Sequence, residues 1–133
     1  MIVLDTHVLA WADGDERKLG RSARALLGRL WGRGEVAVCA LSFWEVALLQ
    51  SRGRLKLTAA PDEWRQELLE GGLVELPVDG NVAIRAVGLG GLPTDPVDRL
   101  IVATALHHGA SLMTADERLI GWNHPLVRHD ARL

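Results

Sequence analysis

Four acidic residues occupy positions at which their carboxylates could act together on one substrate. They are Asp5, Glu45, Asp98 and Asp116, and each stands where a predicted strand ends or a predicted helix begins. Carboxylates that converge in a folded protein repel one another unless a positive charge lies between them. A divalent cation held by such oxygens can activate water for hydrolysis. Oxygen ligands without clustered Cys and His favour Mg²⁺ or Mn²⁺ over Zn²⁺.

The elements that must position these residues alternate between strand and helix along the chain. Strands are predicted over residues 2–4, 36–40, 73–76, 111–114 and, marginally, 126–128. Helices are predicted over residues 8–12, 22–31, 42–51, 61–70, 79–87, 95–107 and 116–120. This alternation favours an α/β fold around a central, mainly parallel sheet of four to five strands, with residues 1–133 as a single domain. In such sheets, sites lie beyond the carboxyl ends of the strands.

Each acid also has a purely structural interpretation. Asp5 and Asp116 could cap the helices that follow them, and Glu45 could end a capping box that begins at Ser42. Asp98 lies in the first turn of a predicted helix, where an acid stabilises the helix dipole. These interpretations explain each residue singly, but they give no reason for four acids to lie at one edge of the sheet.

The bulk properties narrow the range of functions. The chain has 133 residues, is 48% hydrophobic and 24% charged, and carries a net charge of −2. There is no global basic field, so RNA or DNA binding would need local basic patches and a bound cation. The single Cys39 cannot form an internal disulfide, which suits the cytoplasm. Neither a signal peptide nor an apolar run of membrane-spanning length is predicted.

Basic and aromatic residues offer further candidates for binding. Arg52, Arg54 and Lys56 form the densest basic loop and could bind RNA phosphates, although a solvated loop is an equal alternative. Trp11 and Trp44 flank the first two acids. Both indoles are predicted to lie in the core, and exposed indoles at these positions would instead suit a partner groove.

Four short motifs resemble, in order and spacing, those of the PIN-domain nucleases, and most closely the VapC-type toxins of bacterial toxin–antitoxin pairs. The motifs are LDTHVLAW with Asp5, LSFWEVALL with Glu45, LPTDPVDRLIVATAL with Asp98 and LMTADERL with Asp116. The resemblance covers nearly the whole chain and implies a three-layer α/β/α fold. The chain departs from the usual pattern at His7, where family members more often carry Asn.

The resemblance implies a metal-dependent ribonuclease toxin that forms homodimers and is held inactive by a small antitoxin protein. Asp5, Glu45 and Asp98 would be the main ligands of Mg²⁺ or Mn²⁺, and Asp116 would hold a second ion or reach the first through water. The residues expected to orient these groups are Thr6, Thr114 and Arg99. Hydrolysis would leave a 5′-phosphate and a 3′-hydroxyl.

Two other functions stay open at this point. A PIN-like RNA- or protein-binding module with a vestigial metal site would be expected to lack one of the acids, and none is missing. A phosphotransfer domain would use Asp5 as its nucleophile. However, the sequence Asp5-Thr6-His7 has no second aspartate to form a DxD motif, and it lacks the acidic pair that a receiver domain carries after its first strand.

Overall fold

The computed structural model describes residues 1–14 and 16–133, and its five strands form one parallel sheet. The strands are β1 (Ile2–Leu4), β2 (Val36–Cys39), β3 (Val74–Leu76), β4 (Ser111–Thr114) and β5 (Arg128–Asp130). Their order across the sheet is β3-β2-β1-β4-β5. β1 is central because it pairs with β2 on one side and with β4 on the other. The prediction of a mainly parallel α/β sheet is confirmed.

Helices connect the strands, as the crossovers of a parallel sheet require. In the described ranges they are α1 (Thr6–Asp13), α2 (Arg21–Leu30), α3 (Ala40–Ser51), α4 (Pro61–Glu70), α5 (Gly80–Val87), α6 (Pro96–His107) and α7 (Glu117–Ile120). Two short 3₁₀ helices, Glu16–Lys18 and Trp31–Arg33, precede α2 and β2. Of the helices in residues 1–14 and 16–133, none combines the length and apolar composition that a membrane crossing requires.

The alternation of side chains along the strands divides the core into two layers. Val3, Ala37 and Leu112 pack with residues of α5 and α6 on one face of the sheet. Leu4 and Val38 pack with residues of α1, α2, α3 and α4 on the other face. Because successive strand residues point to opposite faces, and both faces of β1 and β2 are buried, these two strands are apolar throughout. The result is the three-layer α/β/α arrangement.

The predicted capping box at the start of α3 is wrong. The helix begins at Ala40, directly after β2, and no side chain caps its N-terminus. Ser42 is fully buried inside the helix, and its Oγ accepts a hydrogen bond from Thr6 Oγ1 at 3.0 Å. A tertiary contact between α1 and α3 therefore replaces the local one, and Glu45 falls on the second turn of α3.

Two further expectations about the framework are corrected. The fifth strand lies two residues later than predicted, because backbone pairing with β4 sets its register at Leu112↔Arg128. Trp44 is 55% exposed and does not belong to the core, whereas Trp11 is half-buried and packs against it.

Candidate active site

The four predicted acids converge on one cleft of about 380 Å³ at the carboxyl edge of β1 and β4. The acids that line it are Asp5, Glu45, Asp95, Asp98 and Asp116. His7, Trp11, Ala115 and Arg118 complete the lining. The carboxyl ends of neighbouring parallel strands meet at one edge, so residues distant in sequence become neighbours there.

Asp5 is held in one orientation by hydrogen bonds from two threonines. It follows β1 directly and is 6% exposed. Its Oδ1 accepts a bond from the backbone N–H of Thr6 at 2.8 Å, and its Oδ2 accepts one from Thr114 Oγ1 at 2.7 Å. Thr114 is fully buried at the end of β4. A carboxylate fixed by two donors keeps its remaining lone pairs aimed into the cleft.

Two residues expected to orient the acids are placed differently. The Thr6 hydroxyl donates its hydrogen bond to Ser42. The hydrogen bond from Thr6 to Asp5 comes from the backbone N–H. The Arg99 guanidinium donates to the backbone carbonyl oxygens of Ala86, Leu89, Leu92 and Pro93. Arg99 therefore secures the segment that joins α5 to α6, and its charge is directed to that segment rather than to the carboxylates.

The start of α6 brings a strongly perturbed carboxylate to the cleft. Asp95 caps the helix, since its Oδ1 accepts hydrogen bonds from the N–H groups of Val97 and Asp98. The Asp98 side chain is only 16% exposed. Burial raises the pKa of Asp98 to about 7, and the nearby charges of Asp5, Asp95 and Asp116 add to this increase. The folded protein thus disfavours a negative charge on Asp98 unless a cation is close.

Arg118 supplies such a cation, and the sequence did not identify it. Its guanidinium makes two hydrogen bonds to Asp116, from Nη2 to Oδ2 at 2.8 Å and from Nε to Oδ1 at 3.2 Å. Nη2 also lies 3.6 Å from Asp98 Oδ2. The hydrogen bond from Arg118 lowers the pKa of Asp116. The sequence feature that could have identified Arg118 is its position two residues after the helix-capping Asp116. At this position the backbone N–H of Arg118 also donates to Asp116 Oδ1.

The donor chemistry of the cleft fits a hard divalent cation. The acids offer oxygen ligands, and burial together with the repulsion between the acids raises the pKa of Asp98. Among residues 1–14 and 16–133, no three His, Cys, Asp or Glu side chains are grouped as ligands of one ion. Arg118, which is 61% exposed, instead neutralises part of the charge of Asp98 and Asp116. A divalent ion would take over this neutralisation once Arg118 turned towards solvent.

The basic loop that follows α3 is divided by the structure. Arg54 and Lys56 line a second cavity that adjoins the acidic cleft, whereas Arg52 is not part of that lining. Lys18 lies in the same cavity. Only the tertiary fold brings Lys18 and the loop together, because α2, β2 and α3 separate them along the chain.

Comparison with known protein sequences identifies a family that this chain matches. The family model described as PIN domain matches residues 2–121. Ribonuclease VapC22 of Mycobacterium tuberculosis is 36% identical to this chain over 125 residues, which cover 93% of each protein.

Solved structures share the fold. A toxin–antitoxin complex from Klebsiella pneumoniae contains a chain with a TM-score of 0.66 at 19% identity, covering 96% of this chain and 95% of that one. The structure of VapBC2 from Rickettsia felis, bound to a promoter DNA fragment, contains a chain with a TM-score of 0.68 at 18% identity. The match covers 97% of this chain and 98% of that one. These likenesses concern the fold, and the sequence match agrees with them. The chain therefore belongs to the PIN-domain family.

Proposed function

We propose that this chain is an endoribonuclease that acts as the toxin of a toxin–antitoxin pair. The observation that carries the proposal is the convergence of Asp5, Glu45, Asp98 and Asp116 on one cleft. The 36% identity to a protein named as a ribonuclease, over nearly the full length of both chains, supports the same activity. The full set of acids speaks against a binding module with a vestigial site.

The proposed cofactor is Mg²⁺ or Mn²⁺. Asp5, Glu45 and Asp98 would be its main ligands, and Asp116 would hold a second ion or reach the first through water. When bound, such an ion would lower the pKa of water, so that hydroxide becomes available to attack a phosphodiester, and would neutralise charge on the phosphate. The high pKa of Asp98 supports this assignment, because a cation would restore its charged form.

The protein's own groups would prepare the site for the phosphate. Thr114 and the Thr6 N–H fix Asp5, so that this carboxylate needs little reorganisation when it binds an ion. Asp95 fixes the first turn of α6 and thereby the place of Asp98. Arg118 is exposed enough to leave the acids and present its guanidinium to a phosphate oxygen, a geometry that Arg forms well.

Cleavage of a mixed RNA pool tests the activity. Protein freed of antitoxin should cut RNA with Mg²⁺ or Mn²⁺, EDTA should stop the cutting, and Asp98→Asn should abolish it while leaving the fold intact. Asp62→Asn is a matched control, because Asp62 is an exposed acid in the first turn of another helix that begins with proline. Full activity of Asp98→Asn would contradict the assignment of the ligands.

Partners form the remaining part of the proposal. A small antitoxin would cover the acidic cleft, and the solved structure of similar fold from Klebsiella pneumoniae is a toxin–antitoxin complex. Homodimers are proposed through α5, where Ile84 and Val87 are 76% and 83% exposed beside an apolar hollow that includes Pro96 and Leu100. Ile84→Glu should then yield monomers in light scattering, and unchanged mass would exclude this face. We also propose that the protein acts in the cytoplasm, where an RNA substrate would meet it.

A further inference from the structure

A second cavity, of about 610 Å³, opens beside the acidic cleft. It lies between α1, the 3₁₀ helix at Glu16–Lys18, α3 and the loop that follows α3. His7 and Trp11 line both spaces, so the cavity and the cleft share one wall. A molecule that lies across this wall would contact both at once.

The charge of this cavity is opposite to that of the cleft. Lys18, Arg54 and Lys56 line it, and none of its lining residues is acidic. Within the part of the chain that the structure describes, no ion pair engages the side chains of Arg54 or Lys56. In a chain of net charge −2, this local concentration of cations beside the carboxylates suits a polyanion that enters from one side.

The wall between the two spaces offers a flat aromatic surface. Trp11 is half-buried, so part of its indole is open to the cavity. The ammonium of Lys18 lies 5.9 Å from the centre of the Trp11 ring. Leu49 and Leu55 provide apolar surroundings. An indole with apolar neighbours and cations close by is the combination on which unpaired bases stack while their phosphates are bound.

We propose that this cavity is a subsite for an unpaired nucleotide next to the bond that is cut. The base stacks on Trp11, and Arg54 and Lys56 each bind one of the two phosphates that flank the nucleotide. The inference rests on the proposed ribonuclease function and deepens it by naming the residues that hold the nucleotide beside the cut. A base that is paired within a duplex keeps its faces stacked on its neighbours and cannot lie against the indole.

Titrations in EDTA test the phosphate contacts without cleavage. The probe is a short fluorescein-labelled oligouridine, followed by anisotropy at increasing salt. Each phosphate contact to single strands contributes a slope of about 0.7 in log affinity against log salt, so two contacts are worth roughly 25-fold between 1 M and 0.1 M salt. We expect Arg54→Ala/Lys56→Ala to lose this slope and this affinity.

A matched control separates local contacts from net charge. Arg33 is exposed on the 3₁₀ helix that precedes β2, at the opposite edge of the sheet from the cleft. The double variant Arg29→Ala/Arg33→Ala removes two exposed positive charges, as many as the cavity variant removes. Equal losses of slope in the two double variants would overturn the subsite, because the effect would then be one of overall charge.

The stacking contact is tested by changing the RNA as well as the protein. An abasic strand of the same length should bind wild type about tenfold more weakly than oligouridine, a typical loss for one stacked base. Trp11→Leu should bind both strands equally, and Trp11→Phe should keep most of the preference. Urea unfolding verifies that both variants are folded. A wild-type protein that binds the abasic strand, or a duplex, as tightly as oligouridine would overturn the proposal.

The outcomes distinguish this inference from the function on which it rests. Binding that follows the pattern above, from protein that never cuts RNA, would sink the ribonuclease proposal alone. Cleavage with unchanged KM in Arg54→Ala/Lys56→Ala would overturn the subsite alone. RNA binding that is unchanged in this variant, together with lost inhibition by the antitoxin, would assign the cavity to the protein partner and overturn the subsite.

Discussion

Neutralising Asp98 should raise the free energy of unfolding of the metal-free protein at pH 8 and should lower it at no pH. The carboxylate is 16% exposed and is surrounded by Asp5, Asp95 and Asp116. Burial and these charges raise its pKa from 3.8 to about 7. In the unfolded chain the same group ionises freely, so its ionisation favours unfolding at every pH above 3.8. Asp98→Asn removes this unfavourable ionisation and keeps the size of the side chain.

The pKa shift sets the magnitude. A change from 3.8 to about 7 corresponds to roughly 4 kcal/mol, at about 1.36 kcal/mol for each tenfold change in proton affinity. The side chain lines an open cleft, where solvent screens part of the repulsion, and Arg118 offsets some of it. We therefore expect half of this value, about 2 kcal/mol, as the gain in the free energy of unfolding. This stability is present in wild type below pH 3.8 and is lost as the pH rises to about 7.

Urea unfolding in EDTA at a series of pH values measures this difference. The free energy of unfolding of Asp98→Asn should exceed that of wild type by ~2 kcal/mol at pH 8, and the gap should close as the pH falls towards 4. Asp62→Asn, an exposed first-turn acid in α4, should show no such gain. With Mn²⁺ in excess the order at pH 8 should reverse, since only wild type gains stability from binding the ion.

Two results would refute the reasoning about Asp98. The first is a variant that is no more stable than wild type at pH 8 in EDTA. The second is a gain that persists undiminished at pH 4, because electrostatic relief must vanish once wild-type Asp98 is protonated in both states.

Three other substitutions probe the surroundings of the cleft. Thr114→Val removes the donor to Asp5 and should lower activity about 10- to 100-fold, whereas Thr114→Ser should keep it; equal activity of both in cleavage assays would argue against this role. Arg118→Ala should tighten Mn²⁺ binding up to about fivefold in calorimetry, because a competing ion pair is removed, and weaker binding would contradict competition. Arg99→Met should lower the free energy of unfolding by about 3 kcal/mol, since four carbonyl groups lose a charged donor; an unchanged urea midpoint would oppose this.

Sequence reasoning located the acidic cleft because parallel topology constrains it strongly. Asp5 and Asp116 follow β1 and β4, and these strands pair side by side. Once the strands are recognised, their carboxyl ends must meet. The raised pKa of Asp98 was not predictable in the same way, because it depends on burial and on the distances between carboxylates that only the packed structure defines.

The errors share a physical cause, which is that tertiary contacts override local patterns. Ser42 has the spacing of a capping box, yet its hydroxyl bonds to Thr6 on another helix. Arg99 adjoins Asp98 in sequence, but helical geometry directs its side chain to carbonyl groups in the last turn of α5 and just after it. The late position of β5 follows from backbone pairing with Leu112, about which side-chain patterns say little.

The central place of β1 in the sheet also determines when the site can exist during synthesis. Asp5 leaves the ribosome well before the strand that pairs beside β1 and the hydroxyl that orients Asp5, because β4 and Thr114 come more than a hundred residues later in the chain. A nascent chain that ends before α6 has neither Asp98 nor β4. A new molecule can therefore become active only after the whole stretch from Asp5 to Thr114 has been translated.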